Sequence, residues 1–277
     1  MRRILSLMPA ATLLFTIPLA HGSVVLFEEN FESYAPGATT LSSSWTLTNL
    51  GDRMTNSVVN ASDDAIEGDQ YWRFSYPSGL DDGQPNSTMT ASGWRQDDAE
   101  GVYVLSHRIY FSSTTIENSA LMRPRYLLTI RDADDRVAGT LTLRALSDGN
   151  GNKQIRYETA SGTTTINEGD TGYPTFWSTN DWLMVVMTVD ELDRTWSFEL
   201  ANGNGTPIAA MAGLSLQNAD FDQAEAFRMQ LLGVPDTRGL NTWVDDIQIT
   251  GPIPEPSSMA LLGLGALAML RRRRMRN

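Results

Sequence analysis

Few residues in this 277-residue chain are suited to chemistry, and they lie far apart. Glu191-Leu192-Asp193 puts two carboxylates on alternate residues, and two carboxyls held about 5 Å apart can cleave a glycosidic bond with retention. Arg194, Thr195 and Trp196 follow, with no further acid before Glu199, and the flanking pattern reads Asp190 to Asp193 as a hairpin turn, which is the wrong place for such a pair. Once the first 22 residues are removed, His107 is the one imidazole left for proton abstraction. Its neighbours of like parity, Tyr103, Leu105, Ile109 and Phe111, mark it as a core histidine. With no Cys and no Gly-x-Ser-x-Gly elbow, nucleophilic triads find no members, so the sequence nominates no catalytic residue. Asp245-Asp246 is the more informative acidic pair. In a regular strand Asp245 shares a face with Trp243, Ile247 and Ile249, and a carboxylate turned inward costs several kcal/mol unless it is paired or metal-bound. Calcium, with about six to eight oxygen ligands, would resolve this; a bulge turning both Asp outward, or Arg108 pairing with Asp245, would do so without metal. Trp94, beside Arg95 and Gln96, and Trp177, in a loop containing Gly and Pro, are the candidate exposed platforms for stacking on sugar rings.

The elements that must position these groups are strands. Trp196, Phe198 and Leu200 alternate with Thr195, Ser197 and Glu199; Tyr126, Leu128 and Ile130 alternate likewise, as do Phe227, Met229 and Leu231. Runs such as Asp81-Asp82-Gly83, Asp148-Gly149-Asn150-Gly151-Asn152 and Asn202-Gly203-Asn204-Gly205 separate the strands. Strand signals about 10 residues apart predict an all-β fold of two stacked antiparallel sheets. No linker composition interrupts it, so one domain is expected over residues 23–251. That domain has 14 basic and 32 acidic side chains, a net charge of −18, and such a surface argues against a nucleic-acid partner.

The two ends read as targeting segments. Residues 1–22 have Arg2 and Arg3, an apolar run from Ile4 to Ala20, and small residues before Ser23, the pattern of a signal peptide read by the secretion machinery and signal peptidase. Residues 252–277 hold Pro254-Glu255-Pro256, an apolar stretch from Met259 to Leu270, and the basic cluster Arg271, Arg272, Arg273 and Arg274. A twelve-residue helix spans about 18 Å of a bilayer core about 30 Å thick, which suits transient anchoring, with the Arg cluster on the cytoplasmic side.

This C-terminal order resembles the PEP-CTERM sorting signal of Gram-negative bacteria that make exopolysaccharide. The resemblance implies recognition of Pro254, Glu255 and Pro256 by an exosortase, retention through the short helix, a stop at the Arg cluster, and release to the cell envelope or extracellular matrix. The domain resembles the concanavalin-like and laminin-G-like jelly rolls, on the opening Asn30-Phe31-Glu32-Ser33-Tyr34-Ala35-Pro36-Gly37, the Trp182 hairpin and the closing Trp243-Val244-Asp245-Asp246-Ile247. That likeness implies a jelly-roll β-sandwich, which the two targeting segments would flank with an N-terminal signal helix and a short C-terminal apolar helix. It also implies a structural calcium held by Glu32 with Asp245 and Asp246. Glu191-Leu192-Asp193 resembles the opening of the laminarinase-type hydrolase motif, whose third acid is missing here. The resulting expectation is a noncatalytic exported protein of the biofilm matrix that binds polysaccharide. The alternatives are a polysaccharide hydrolase or lyase of the same fold and a structural matrix or adhesin protein.

Overall fold

The computed structural model describes residues 23–50, 55–60, 70–76, 86–95, 100–111, 125–144, 153–173, 175–177, 181–232 and 240–252. The signal segment 1–22 and the sorting segment with Pro254, Glu255, Pro256 and Arg271 to Arg274 lie outside the described residues, as do the two flanking helices expected there.

The described chain is all β. Its strands are β1 (Ser23–Glu29), β2 (Trp45–Leu50), β3 (Thr55–Asn60), β4 (Gln70–Tyr76), β5 (Asn86–Ser92), β6 (Val102–Phe111), β7 (Arg125–Arg131), β8 (Val137–Arg144), β9 (Gln154–Thr159), β10 (Gly162–Asn167), β11 (Trp182–Asp190), β12 (Thr195–Asn202), β13 (Pro207–Ser215), β14 (Ala226–Leu232) and β15 (Leu240–Pro252). One sheet has the order β13-β12-β11-β6-β15-β4-β3, with β1 also on β15; the other has the order β10-β9-β8-β7-β14-β5-β2. Neighbours in both orders run antiparallel. The first and last strands thus lie side by side, as the jelly-roll resemblance implies, within the two antiparallel sheets that the periodicity predicts.

Alternation does the positioning. Along β6 every second residue from Tyr103 to Phe111 is buried, and along β12 Trp196, Phe198 and Leu200 are buried while Thr195, Ser197 and Glu199 are partly exposed. The predicted hairpin is present: β11 and β12 pair from Leu183 with Asn202 to Asp190 with Thr195. Its turn is tied by the Asp190 carboxylate, which accepts from the Leu192 and Asp193 amides at 3.1 and 3.0 Å.

The sheets approach most closely where Trp196 of β12 lies against Gly139 of β8. A Cβ placed on Gly139 would fall 2.3 Å from the buried indole, so no side chain fits there without parting the sheets. Gly139→Ala is expected to cost about 1–3 kcal/mol through overpacking and to lower Tm by several degrees in a thermal melt. An unchanged Tm would mean that the indole repacks freely.

Candidate functional site

β15 changes partner halfway along its length, and the chemistry of its face follows from that change. Leu240 to Val244 pair with β4, whereas β1 pairs with the same strand elsewhere along it. Against β6 the register slips between Asp245 and Gln248, and Asp246 sits at φ 49, in the left-handed region. The bulge reverses parity. Val244, Ile247 and Ile249 all enter the interior core, while Trp243 packs in a separate cluster with Val59 and Tyr71 on the outer face. The expectation that Asp245 shares an inward face with Trp243, Ile247 and Ile249 is therefore corrected: the extra residue turns Asp245 and Asp246 out of the sandwich.

The two carboxylates then differ. Asp246 is exposed and pairs with the Arg108 guanidinium at 3.2 Å, so the arginine weighed as a partner for Asp245 takes its neighbour. Asp245 Oδ1 is buried without a hydrogen-bond partner among the described residues. Burial pushes the Asp245 carboxyl up to about 7, helped by the nearby charges of Asp246 and Glu32 and opposed by the Asp246 backbone hydrogen bond and by Arg108. Glu32 accepts from the Gln70 amide at 2.8 Å, at the start of β4. Glu32 and Asp245 thus lie within electrostatic reach of one another, with Asp246 drawn aside by Arg108. Among the described residues no three acidic or imidazole groups converge in a way that would hold a metal ion.

Beside the bulge lies a cleft of about 250 Å³, lined by Glu28, Ser106, Arg108, Met184, Asp246 and Gln248 among others. A row of aromatic rings adjoins it, because Trp182, Tyr110 and Trp243 are register partners across β11, β6 and β15. Tyr110 meets Trp182 at 5.5 Å and Trp243 at 5.4 Å, both edge to face, and Tyr71 closes on Trp182 at 5.2 Å. Trp243 and Tyr71 are buried in this stack, whereas Trp182 and Tyr110 keep part of their rings exposed.

The sugar platforms expected at Trp94 and Trp177 are also corrected. Trp177 is 1% exposed, stacked between Phe111 and Phe176. Trp94 is 4% exposed and leans on Tyr103 inside the sandwich. The neighbours in sequence, Arg95 and Gln96 beside Trp94 and Gly and Pro near Trp177, did not reveal that both indoles are buried in the core. On the outer face of the first sheet Trp182 and Tyr110 are partly exposed, and their signal was the outward parity of each strand.

The remaining candidates are structural. Glu191 is buried; its carboxylate takes the Arg95 guanidinium at 2.8 and 3.3 Å and the Ala224 amide at 2.6 Å. Arg95 also lies over the Tyr103 ring at 4.8 Å. Asp193 is exposed in the turn. His107 is 1% exposed, its Nε2 is 3.0 Å from the Tyr126 hydroxyl, and Phe227 flanks it. Burial alone pushes its imidazole down to about 3, so it is neutral at ordinary pH. A group the sequence did not single out is Glu29, whose carboxylate accepts from Phe31 N, Tyr34 Oη and Trp45 Nε1 at 2.9, 3.0 and 3.2 Å. It pins the chain leaving β1 against β2.

The two antiparallel sheets, with first and last strands adjacent, define a lectin-like, concanavalin-like jelly-roll β-sandwich. Peanut lectin, solved with a nine-residue peptide, superposes with a TM-score of 0.50 at 11% identity, covering 84% of this chain and 99% of its own. The UEA-II lectin complexed with galactose gives 0.50 at 9%, covering 82% and 99%. The endo-1,3-beta-glucanase from Streptomyces sioyaensis gives 0.50 at 14%, covering 84% and 98%. At these identities the likeness is one of fold. The chain also carries the PEP-CTERM protein-sorting motif, matched over residues 252–274, which implies export with transient membrane anchoring. No curated protein matches the chain.

Proposed function

We propose that this is an exported, exosortase-processed protein of the cell surface or extracellular matrix that binds glycan without cleaving it. The observation that carries the reading is the Trp182 and Tyr110 platform set beside a polar cleft on one sheet face. Sugar rings stack on such aromatic surfaces, while Arg108, Asp246, Gln248 and Ser106 supply donors and acceptors for hydroxyls. The noncatalytic part rests on the same side chains: Glu191 is committed to Arg95, and His107 is sealed between the sheets. The lectin-like fold and the sorting motif agree with a role beside exported polysaccharide. The experiment is retention of the exported protein on a broad array of neutral and charged glycans. Specific retention is expected, with a loss of about tenfold or more in Trp182→Ala and Tyr110→Ala proteins that still melt cooperatively. Retention that survives both substitutions, or release of new reducing ends or unsaturated products, would overturn it.

Calcium is part of the proposal at the β15 bulge. The partnerless Asp245 Oδ1, with the Glu32 carboxylate within electrostatic reach, would offer oxygen ligands to a hard divalent cation, whereas Asp246, turned to Arg108, fits less well. In chelator, the folded protein holds the Asp245 proton up to about pH 7, while the unfolded chain releases it near 3.8. The contribution of this group is therefore full below pH 3.8 and lost as pH rises through 7. Asp245→Asn should then be more stable than wild type at pH 8 by about 2 kcal/mol, after discount for partial exposure, and equal to it near pH 3.5. Calcium at about 100 times its dissociation constant should add about 2.7 kcal/mol to wild type alone. Equal melting of wild type in calcium and chelator would defeat the metal assignment.

A further inference from the structure

The outer face of the second sheet, on the side away from the aromatic cleft, has an opposite electrostatic character. Its outward positions follow from the inward ones: Tyr126, Leu128, Phe227, Met229, Leu141 and Leu143 enter the core, so their neighbours on β7, β14 and β8 face out. Five of the thirteen arginines of residues 23–251 fall there: Arg125, Arg131, Arg144, Arg156 and Arg228. In a domain of net charge −18, that concentration runs against the average.

The five form two groups. At one end of the face, Arg131 and Arg228 share a single carboxylate, Asp135, at 2.8 and 3.0 Å. Burial, followed by the charge of Arg131, lowers the Arg228 guanidinium from its ordinary value against the pull of Asp135. At the other end, Arg125 and Arg144 are direct register partners, and Arg156 lies one strand further, opposite Thr142. Like charges placed opposite one another across a ladder cost stability. Arg125 and Arg156 make no ion pair among the described residues. The acids on this face among the described residues are Asp135 and Glu158, and Glu158 is engaged by the Gln217 amide at 2.8 Å. Between the guanidinium groups lies a floor of short hydroxyl side chains, Thr129, Thr140 and Thr142, only 5–7% exposed.

We infer that this face is a second binding surface, and that its occupant is an extended acidic polysaccharide bearing carboxylates. Guanidinium groups form two-pronged hydrogen bonds with carboxylates. Sites spread over several strands match a polymer that repeats its charge, better than a single small anion. The outward side chains named here include no aromatic ring, so charge rather than stacking would select the ligand. In a domain of net charge −18, a single narrow chain can follow the guanidinium groups, whereas a broad anionic membrane or a DNA duplex would also meet the surrounding acidic surface.

The test compares retention of the exported protein on polygalacturonate with retention on the same polymer after full methyl esterification. Wild type should bind the charged polymer at least about tenfold more tightly, with affinity falling steeply as salt rises. Arg125→Gln and Arg156→Gln should each lose several-fold alone and about tenfold or more together, whereas Arg73→Gln, the same single charge change on the other sheet, should lose less than about twofold. Equal binding of the esterified polymer would overturn the inference, as would an equal loss in Arg73→Gln, or tighter binding of duplex DNA or phosphatidylglycerol vesicles. Failure of the aromatic platform would appear on neutral glycans and leave these outcomes unaffected.

Discussion

Glu191→Ala should destabilise the protein by about 3–5 kcal/mol, the cost of leaving a buried guanidinium without its counter-ion. Side-chain exposure of the pair is 7% for Arg95 and 2% for Glu191. Burial opposes the charged Arg95, but the hydrogen bond and charge of Glu191 outweigh it, and the net effect raises the guanidinium above its ordinary value. The same carboxylate also holds the Ala224 amide, just ahead of β14, and the Glu191 amide donates to Gly101 at 3.0 Å, just ahead of β6. One residue, through its side chain and its amide, thus ties the β11–β12 turn to segments leading into both sheets. A fall in the denaturation midpoint without change in the slope against denaturant would report lost stability alone. Glu191→Gln, which keeps shape and one acceptor, should lose less than Glu191→Ala. If instead both variants melt as wild type does, the pair is not the structural tie described, and the acid is free for another role.

This acid shows how far the sequence could be read. The alternation of Leu183, Val185, Met187 and Val189 with polar residues located β11, and the return strand located the turn, so Glu191 was correctly removed from any strand face. Its partner was not readable, because Arg95 lies 96 residues away and pairing over that separation depends on topology. The same limit applies to Glu29, which meets Trp45 across 16 residues.

The bulge at Asp245 and Asp246, which the sequence offers only as an alternative to metal, is not favoured by the pattern for another reason. Period-two reasoning carries parity along a strand only while every residue is extended, and one left-handed residue inverts all that follows. The pattern held a trace of this: Trp243, Ile247 and Ile249 share parity with an acid, whereas a bulge lets Val244, Ile247 and Ile249 form one apolar side. Trp94 and Trp177 expose a third limit, since loops have no periodicity from which to infer burial. The Arg face of the second sheet was within reach, because each of its five arginines alternates with a residue assigned to the core. What was not visible is that strands distant in sequence set these arginines side by side.

The acid dependence of stability should separate two groups that titrate in the same range with opposite sign. His107 is held neutral down to about pH 3, whereas in the unfolded chain it takes up a proton near 6.5. Above pH 6.5 its contribution is fully present; as pH falls, the unfolded state binds more protons and stability drops by up to about 1.4 kcal/mol per pH unit, until pH 3 is passed. Without calcium, Asp245 acts the other way, since acidification from pH 7 to 3.8 protonates it in the folded state first. The two slopes oppose each other between about pH 4 and 6.5, so the contribution of His107 is partly masked in the wild-type protein. Removing Asp245 exposes it: Asp245→Asn should lose about 3 kcal/mol between pH 7 and pH 4. Adding His107→Gln, which can retain a hydrogen bond to the Tyr126 hydroxyl, should remove that slope at some cost in stability at pH 7. The measurement is the unfolding free energy of all three proteins by urea titration in chelator across this range. A steep acid loss that persists in the double variant would assign it to other groups, and would mean that the imidazole between the sheets is reached by protons without unfolding.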